Sequence, residues 1–121
     1  MGLFDLFNTF DPVASYDAID AVAVQTNLLM MTESKEHQAT IKKLRIGSLV
    51  KLKHTKRKGQ NIYVVSDFKT GKTIGEISYG SSDYLAQNYN GYRMLGKVTE
   101  IGRITPNGHG IQVRIEYKVY L

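Results

Sequence analysis

The feature that most constrains this chain is its last eleven residues. From Ile111 to Leu121 the side chains alternate without a break: Ile111, Val113, Ile115, Tyr117, Val119 and Leu121 fall on one face, and Gln112, Arg114, Glu116, Lys118 and Tyr120 on the other. Strict alternation over this length is the signature of a strand with one buried and one wet face, so the chain must supply partner strands and an apolar interior for it. A second strand is expected just before it, from Lys97 to Ile104, with Val98, Ile101 and Ile104 apolar and Gly102 marking a bulge. Pro106-Asn107-Gly108-His109-Gly110 supplies the turn between the two.

The middle of the chain reads as a three-strand meander. Leu49-Val50-Lys51-Leu52-Lys53, Ile62-Tyr63-Val64-Val65 and Thr73-Ile74-Gly75-Glu76-Ile77 are short, rich in β-branched and aromatic residues, and separated by polar segments that contain glycine. Lys69-Thr70-Gly71-Lys72 places a glycine where a tight hairpin needs positive φ. The connection from His54 to Gln60 is expected to be different. It is long and carries Lys56, Arg57 and Lys58 in succession, which predicts a solvated tip unless an anion meets it.

Helices are expected at three places. Gly2 to Phe10 spaces Leu3, Phe4, Leu6, Phe7 and Phe10 as an apolar stripe that Asp11-Pro12 terminates. Nine residues are too few for a stable isolated helix, so this one must pack on its own domain or on another subunit. Glu33 to Arg45 reads as a short amphipathic helix ending at Gly47, with His37 on its surface, and Ser81-Ser82-Asp83 offers the N-cap of a helix running to Gly91. Ala18 to Gln25, with Ile19, Val22 and Val24 apolar, is taken as the first strand. The order strand, helix, three strands, helix, two strands predicts a mainly β domain, a six-stranded and partly open barrel of the OB or SH3-like kind over residues 18–121, preceded by an appendage over residues 1–17.

Composition bounds the function. At 121 residues, 42% of them hydrophobic and 22% charged, the chain has one domain's length and an ordinary globular composition. It contains no cysteine, which excludes disulfides, thiolate metal sites and cysteine nucleophiles and favours a cytoplasmic location. Apolar runs such as Ala21–Val24 and Leu28–Met31 fall far short of the ~20 residues of a membrane helix, and no Lys or Arg precedes residue 35 to form the basic end of a secretion signal. The net charge of +5 conceals a split. Residues 1–34 carry five acids and no Lys or Arg, net −5, whereas residues 35–121 carry sixteen Lys and Arg against six acids, net +10. Such asymmetry points to a polyanionic partner for the basic part, or to an acidic end that covers some of its surface.

Catalytic signatures are missing from the pattern. His37, His54 and His109 have no acid or second histidine at metal or triad spacing, and no cofactor is implied. Gly71-Lys72-Thr73 resembles the end of a phosphate-binding loop, yet the earlier glycine would fall on Ser66 and strand residues follow. What remains is a binding surface. Tyr79, Tyr84, Tyr89 and Tyr92 cluster around the second helix, where they either stack bases or seal the end of the barrel. Lys51 and Lys53 share one strand face, and Lys56, Arg57, Lys58 and Arg93 extend the cationic zone.

The residues Leu44, Gly47, Val50, Leu52, Asn61, Tyr63, Gly71, Lys72, Ile74, Gly75 and Ile77, continued by Gly96-Lys97-Val98-Thr99-Glu100-Ile101, resemble the HIRAN domain. That family is a small β-barrel module found in DNA-remodelling helicases and as free-standing bacterial proteins. The resemblance implies capture of single-stranded DNA, at its free 3′ end, with Asn61 and Tyr63 in the pocket. Ile62 and Val64 stand where the family has proline and aspartate, so the acid that would contact a terminal sugar is missing from its place. The expectation is a non-catalytic module that binds nucleic acid, single-stranded DNA before other forms, through Lys51, Lys53, Lys56, Arg57, Lys58, Asn61, Tyr63 and Arg93. The alternative is a self-assembly module that forms homo-oligomers through Leu3, Phe4, Phe7 and Phe10.

Overall fold

The computed structural model describes residues 12–102 and 110–121. The expected Gly2–Phe10 helix and most of the Pro106–Gly110 turn therefore lie outside the described residues. Three short helices and six strands follow in the order α1 (Pro12–Asp17), β1 (Ala23–Leu28), α2 (Lys35–Ile41), β2 (Leu49–Arg57), β3 (Gln60–Asp67), β4 (Thr73–Glu76), α3 (Tyr79–Asn88), β5 (Arg93–Ile101) and β6 (Val113–Tyr120). All strands join one antiparallel sheet in the order β1-β6-β5-β2-β3-β4. The sheet is not closed by a continuous ladder. Just beyond β1, however, the Met30 N–H donates to the Glu76 carbonyl at 2.8 Å and the Glu76 N–H donates back at 2.9 Å, so a single bridge links the two outer strands.

Strand β6 sits where the alternation demands. Val113, Ile115, Tyr117 and Val119 are fully buried and their neighbours half-buried, because β1 on one side and β5 on the other leave only the sheet faces to distinguish them. The same inward face collects Val50, Val65, Val98 and Ile74, and α3 closes over it with Leu85. Helix α2 is capped by Ser34, whose hydroxyl accepts from the His37 N–H at 3.1 Å; the helix packs Ile41 and the turn after it packs Leu44 against the core. Gly47, at φ 93°, then turns the chain into β2.

Three expectations need correction. The first strand is Ala23–Leu28 rather than Ala18–Gln25, and its polarity is reversed. Val22, Val24 and Leu28 face solvent while Gln25 and Asn27 face inward, where the Tyr117 hydroxyl donates to Asn27 Oδ1 at 2.8 Å and Gln25 Oε1 at 3.3 Å. A satisfied inward amide costs little, so register with β6 overrides hydropathy here. Helix α3 starts at Tyr79, with Ser78 as its cap residue, not within Ser81–Asp83. This earlier start buries Ser82, whose hydroxyl donates to the Ile77 carbonyl and accepts from the Tyr63 N–H, both at 3.3 Å. The irregularity of β5 falls between Val98 and Glu100 rather than at Gly102, whose N–H bonds regularly to the Gln112 carbonyl at 2.8 Å.

Candidate nucleic-acid interface

The cationic segment expected to form a long solvated connection is strand almost to its end. The β2–β3 ladder runs from Val50↔Asp67 to Arg57↔Gln60, leaving only Lys58 (φ 52°) and Gly59 (φ 77°) as the turn. Two successive positive φ values define the tight primed turn whose twist suits a hairpin. The consequence for charge is direct. Successive strand residues face opposite ways, so the three adjacent cations separate, Arg57 toward the outward face of Lys51 and Lys53, Lys56 toward the other face and Lys58 at the tip.

Arg57 is already occupied. Its guanidinium lies 2.7 Å from Glu76 Oε2 and 3.5 Å from Oε1, with the two side chains 50% and 8% exposed. The hydrogen bond to Glu76, and then its charge, hold the Arg57 pKa above its ordinary value. Glu76 is nearly buried, so this pair fastens the hairpin to β4 and serves the fold before any ligand.

Lys51, Lys53 and Arg93 are exposed on the outward face. Lys51 Nζ stands 4.8 Å from the centre of the Phe68 ring, and the Arg93 guanidinium carbon 5.1 Å from that of Tyr120. Arg93 also donates to the Leu121 carbonyl at 2.6 Å. Lys51 pairs with Leu95 across β2 and β5, so Arg93, two residues along, continues the row level with Lys53. Tyr120, Arg93, Lys53, Lys51 and Phe68 thus form a band across three central strands and onto the β3–β4 turn, in which three cations are flanked at either end by an aromatic ring. Phe68 and Tyr120 are absent from the residues chosen on sequence grounds. Tyr120 had a signal, since it falls on the polar face of the closing alternation, whereas Phe68 had none outside its hairpin.

The neighbouring part of the outward face is covered. Tyr16 of α1 is fully buried between two ammonium groups, with Lys97 Nζ 5.1 Å and Lys118 Nζ 4.6 Å from its ring centre. Its hydroxyl donates to Glu116 at 2.9 Å, Lys118 donates to the Tyr16 carbonyl at 2.9 Å, and Lys97 lies 3.7 Å from Asp17. Burial, then the Glu116 hydrogen bond and charge, raise the Tyr16 pKa strongly. This acidic end therefore masks two cations of the basic sheet.

Asn61 and Tyr63 stand on the inward side, away from the cationic band. Tyr63 is 4% exposed and stacks on His54, ring centres 4.9 Å apart and planes 23° apart. A ring buried there and already stacked presents no open face to a base. Burial raises the Tyr63 hydroxyl pKa. Asn61 Oδ1 meets His54 Nε2 at 2.8 Å while its amide donates to Asp83 at 3.2 Å, and Gln60 donates to the same carboxylate at 3.2 Å. These bonds tie the hairpin to α3. Among the tyrosines around α3, Tyr89 meets Tyr84 and Tyr92 edge-on at 6.1 and 5.4 Å, and Tyr79 and Tyr84 remain exposed.

Beside the band, an open cleft of about 1360 Å³ lies between α2 and the outward face of β2, β3 and β4, with the Arg57–Glu76 pair in its lining. Among the described residues no group of three or more His, Cys, Asp or Glu is placed to hold a metal ion, and no helix is long and apolar enough to cross a membrane. Compared with protein-family models, with curated proteins and with solved structures, the chain matches none of them.

Proposed function

We propose that this chain is a non-catalytic, HIRAN-like module that binds single-stranded nucleic acid, DNA in the first instance, on the outward face of its sheet. The observation that carries the reading is the band of Lys51, Lys53 and Arg93 flanked by Phe68 at one end and Tyr120 at the other. Cations that follow a phosphate backbone, with rings that accept unstacked bases beside them, are what sequence-tolerant single-strand binding requires. Lys58 at the hairpin tip extends the track. The Met30–Glu76 bridge supports reading the curved sheet as a partly open barrel of this kind.

Fluorescence anisotropy of labelled oligonucleotides across a salt series tests the reading. The combined Lys51→Ala, Lys53→Ala and Arg93→Ala variant is expected to weaken binding alike for all sequences. It should also flatten the slope of log K against log salt by about 2, at ~0.7 per phosphate contact on a single strand. Because Asn61 and Tyr63 are held by internal contacts, blocking the 3′ hydroxyl should leave the affinity unchanged. Absence of binding at low salt, or an unaltered slope in the triple variant, overturns the assignment.

A further inference from the structure

The cleft between α2 and the outward sheet face has an uneven lining. Leu44, Leu49, Val64 and Phe68 make it apolar, while Lys43, Lys69 and Lys72 rim it. Of its three acids, Glu76 is engaged by Arg57 at 2.7 Å and Asp67 by its own turn, where it accepts from the Thr70 hydroxyl at 2.8 Å and the Lys69 N–H at 3.4 Å, which leaves Glu36 of α2 alone against three lysines. The three rim lysines make no ion pair among the described residues. Chemistry complementary to such a cleft is an apolar body carrying carboxylates.

The chain itself contains that chemistry. Residues 1–11 hold Leu3, Phe4, Leu6, Phe7 and Phe10 together with Asp5 and Asp11, and no Lys or Arg. They also start from a suitable place. α1 is anchored by Tyr16 and Asp17 at Lys97, and Lys97 is the ladder partner of Leu49 in the cleft lining. From β5 to β3 is two strand spacings, ~10 Å. Eleven residues span up to ~36 Å when extended, and a nine-residue helix ~13 Å, so the segment reaches the cleft in either form.

We infer that residues 3–10 seat in this cleft of their own chain, Leu and Phe side chains on Leu49, Val64 and Phe68, with Asp5 and Asp11 toward Lys43, Lys69 and Lys72. The inference does not rest on the nucleic-acid reading and its test uses no DNA; the two share Phe68, which the seated segment would cover. Zero-length carbodiimide cross-linking joins a carboxylate to an amine in contact with it. It is applied to an equimolar mixture of ¹⁴N- and ¹⁵N-labelled full-length protein, followed by peptide mass spectrometry. The expected result is Asp5 or Asp11 joined to Lys43, Lys69 or Lys72 in pairs of a single isotope. The full-length Phe4→Ser, Phe7→Ser variant, which keeps every charge, is expected to lose those pairs while its circular dichroism stays unchanged. Mixed-isotope pairs would assign the cleft to a second copy and overturn the intrachain seat. Equal yields in the serine variant would show that charge alone brings the groups together, and the absence of any link from Asp5 or Asp11 to these lysines removes the cleft from consideration.

Discussion

The Tyr117 hydroxyl gives the fold a defined alkaline weakness. Tyr117 is fully buried, and its only donor satisfies Asn27 Oδ1 at 2.8 Å and Gln25 Oε1 at 3.3 Å on β1. Tyr117→Phe removes those bonds without changing the ring. At pH 7 this should cost about 1 kcal/mol, a loss of ~4 °C in Tm for a domain of this size, since the half-buried amides recover part of their hydration. The pH dependence carries the stronger test. Burial, and then the nearby Tyr63, push the Tyr117 pKa from 10.0 up to about 12. The folded state thus holds this proton more tightly than the unfolded state does. The resulting stability is fully present below pH 10, falls by ~1.4 kcal/mol per pH unit above it, and is spent once pH passes the folded value near 12. The phenylalanine variant has no such proton to lose. Its deficit should therefore shrink on going from pH 7 to pH 10 and reverse to a small advantage by pH 11, where the wild type has given up ~1.4 kcal/mol at this site. Urea unfolding of both proteins followed by circular dichroism at pH 7, 10 and 11 measures the difference. Tyr16 and Tyr63 shift in the same direction, but they are common to both chains and cancel. Two stability curves that stay parallel from pH 7 to pH 11 would refute the argument.

Other substitutions probe other parts of the fold. Gly75→Ala puts a methyl 2.7 Å from the Met30 carbonyl oxygen and 3.1 Å from a Thr32 methyl, and should destabilise by about 1–3 kcal/mol in urea unfolding, with hydrogen exchange at Met30 and Glu76 rising first. Lys58→Asn places the residue best suited to the first position of this turn ahead of Gly59, and should raise the unfolding midpoint by an amount equivalent to about 0.5 kcal/mol. Tyr16→Ser should release α1 from Lys97 and Lys118, and in the anisotropy assay the salt slope should steepen by ~1.4 as two further phosphates find partners.

Much of this architecture is legible in residue order alone. The closing alternation places four buried side chains of β6 correctly because a strand flanked on both edges has only its faces to sort residues by. The hairpin was harder to read. Lys56-Arg57-Lys58 looks like a solvated loop when charges are counted along the chain, but strand pleating separates the three, and Glu76, nineteen residues on, neutralises one of them. The only local sign was Lys58-Gly59, a weaker relative of the Asn-Gly turn signal. β1 misleads for the opposite reason. Its valines point outward, since amides satisfied by a distant tyrosine take the inward places, and no local periodicity encodes a bond between Asn27 and Tyr117. The candidate site was half visible. Cations can be counted from composition, whereas their pairing with Phe68 and Tyr120 depends on register between strands far apart in the chain.

The pairing of the first strand with the last has a consequence for synthesis. Among the described residues the ladder partner of Ala23–Leu28 is Arg114–Val119, so β1 waits for roughly 90 further residues, about 5–20 s of translation at ~5–20 residues per second. Throughout that interval the nascent chain carries an eleven-residue stretch, Ala21 to Met31, without a single charge. Uncharged, β-prone stretches left without a partner are where polypeptides begin to aggregate, and natural chains hold them in check with charges placed at their borders. Asp17 and Asp20 stand before this stretch and Glu33 after it. The acidic end of the chain thus guards β1 from the time it is made until β6 arrives to cover it.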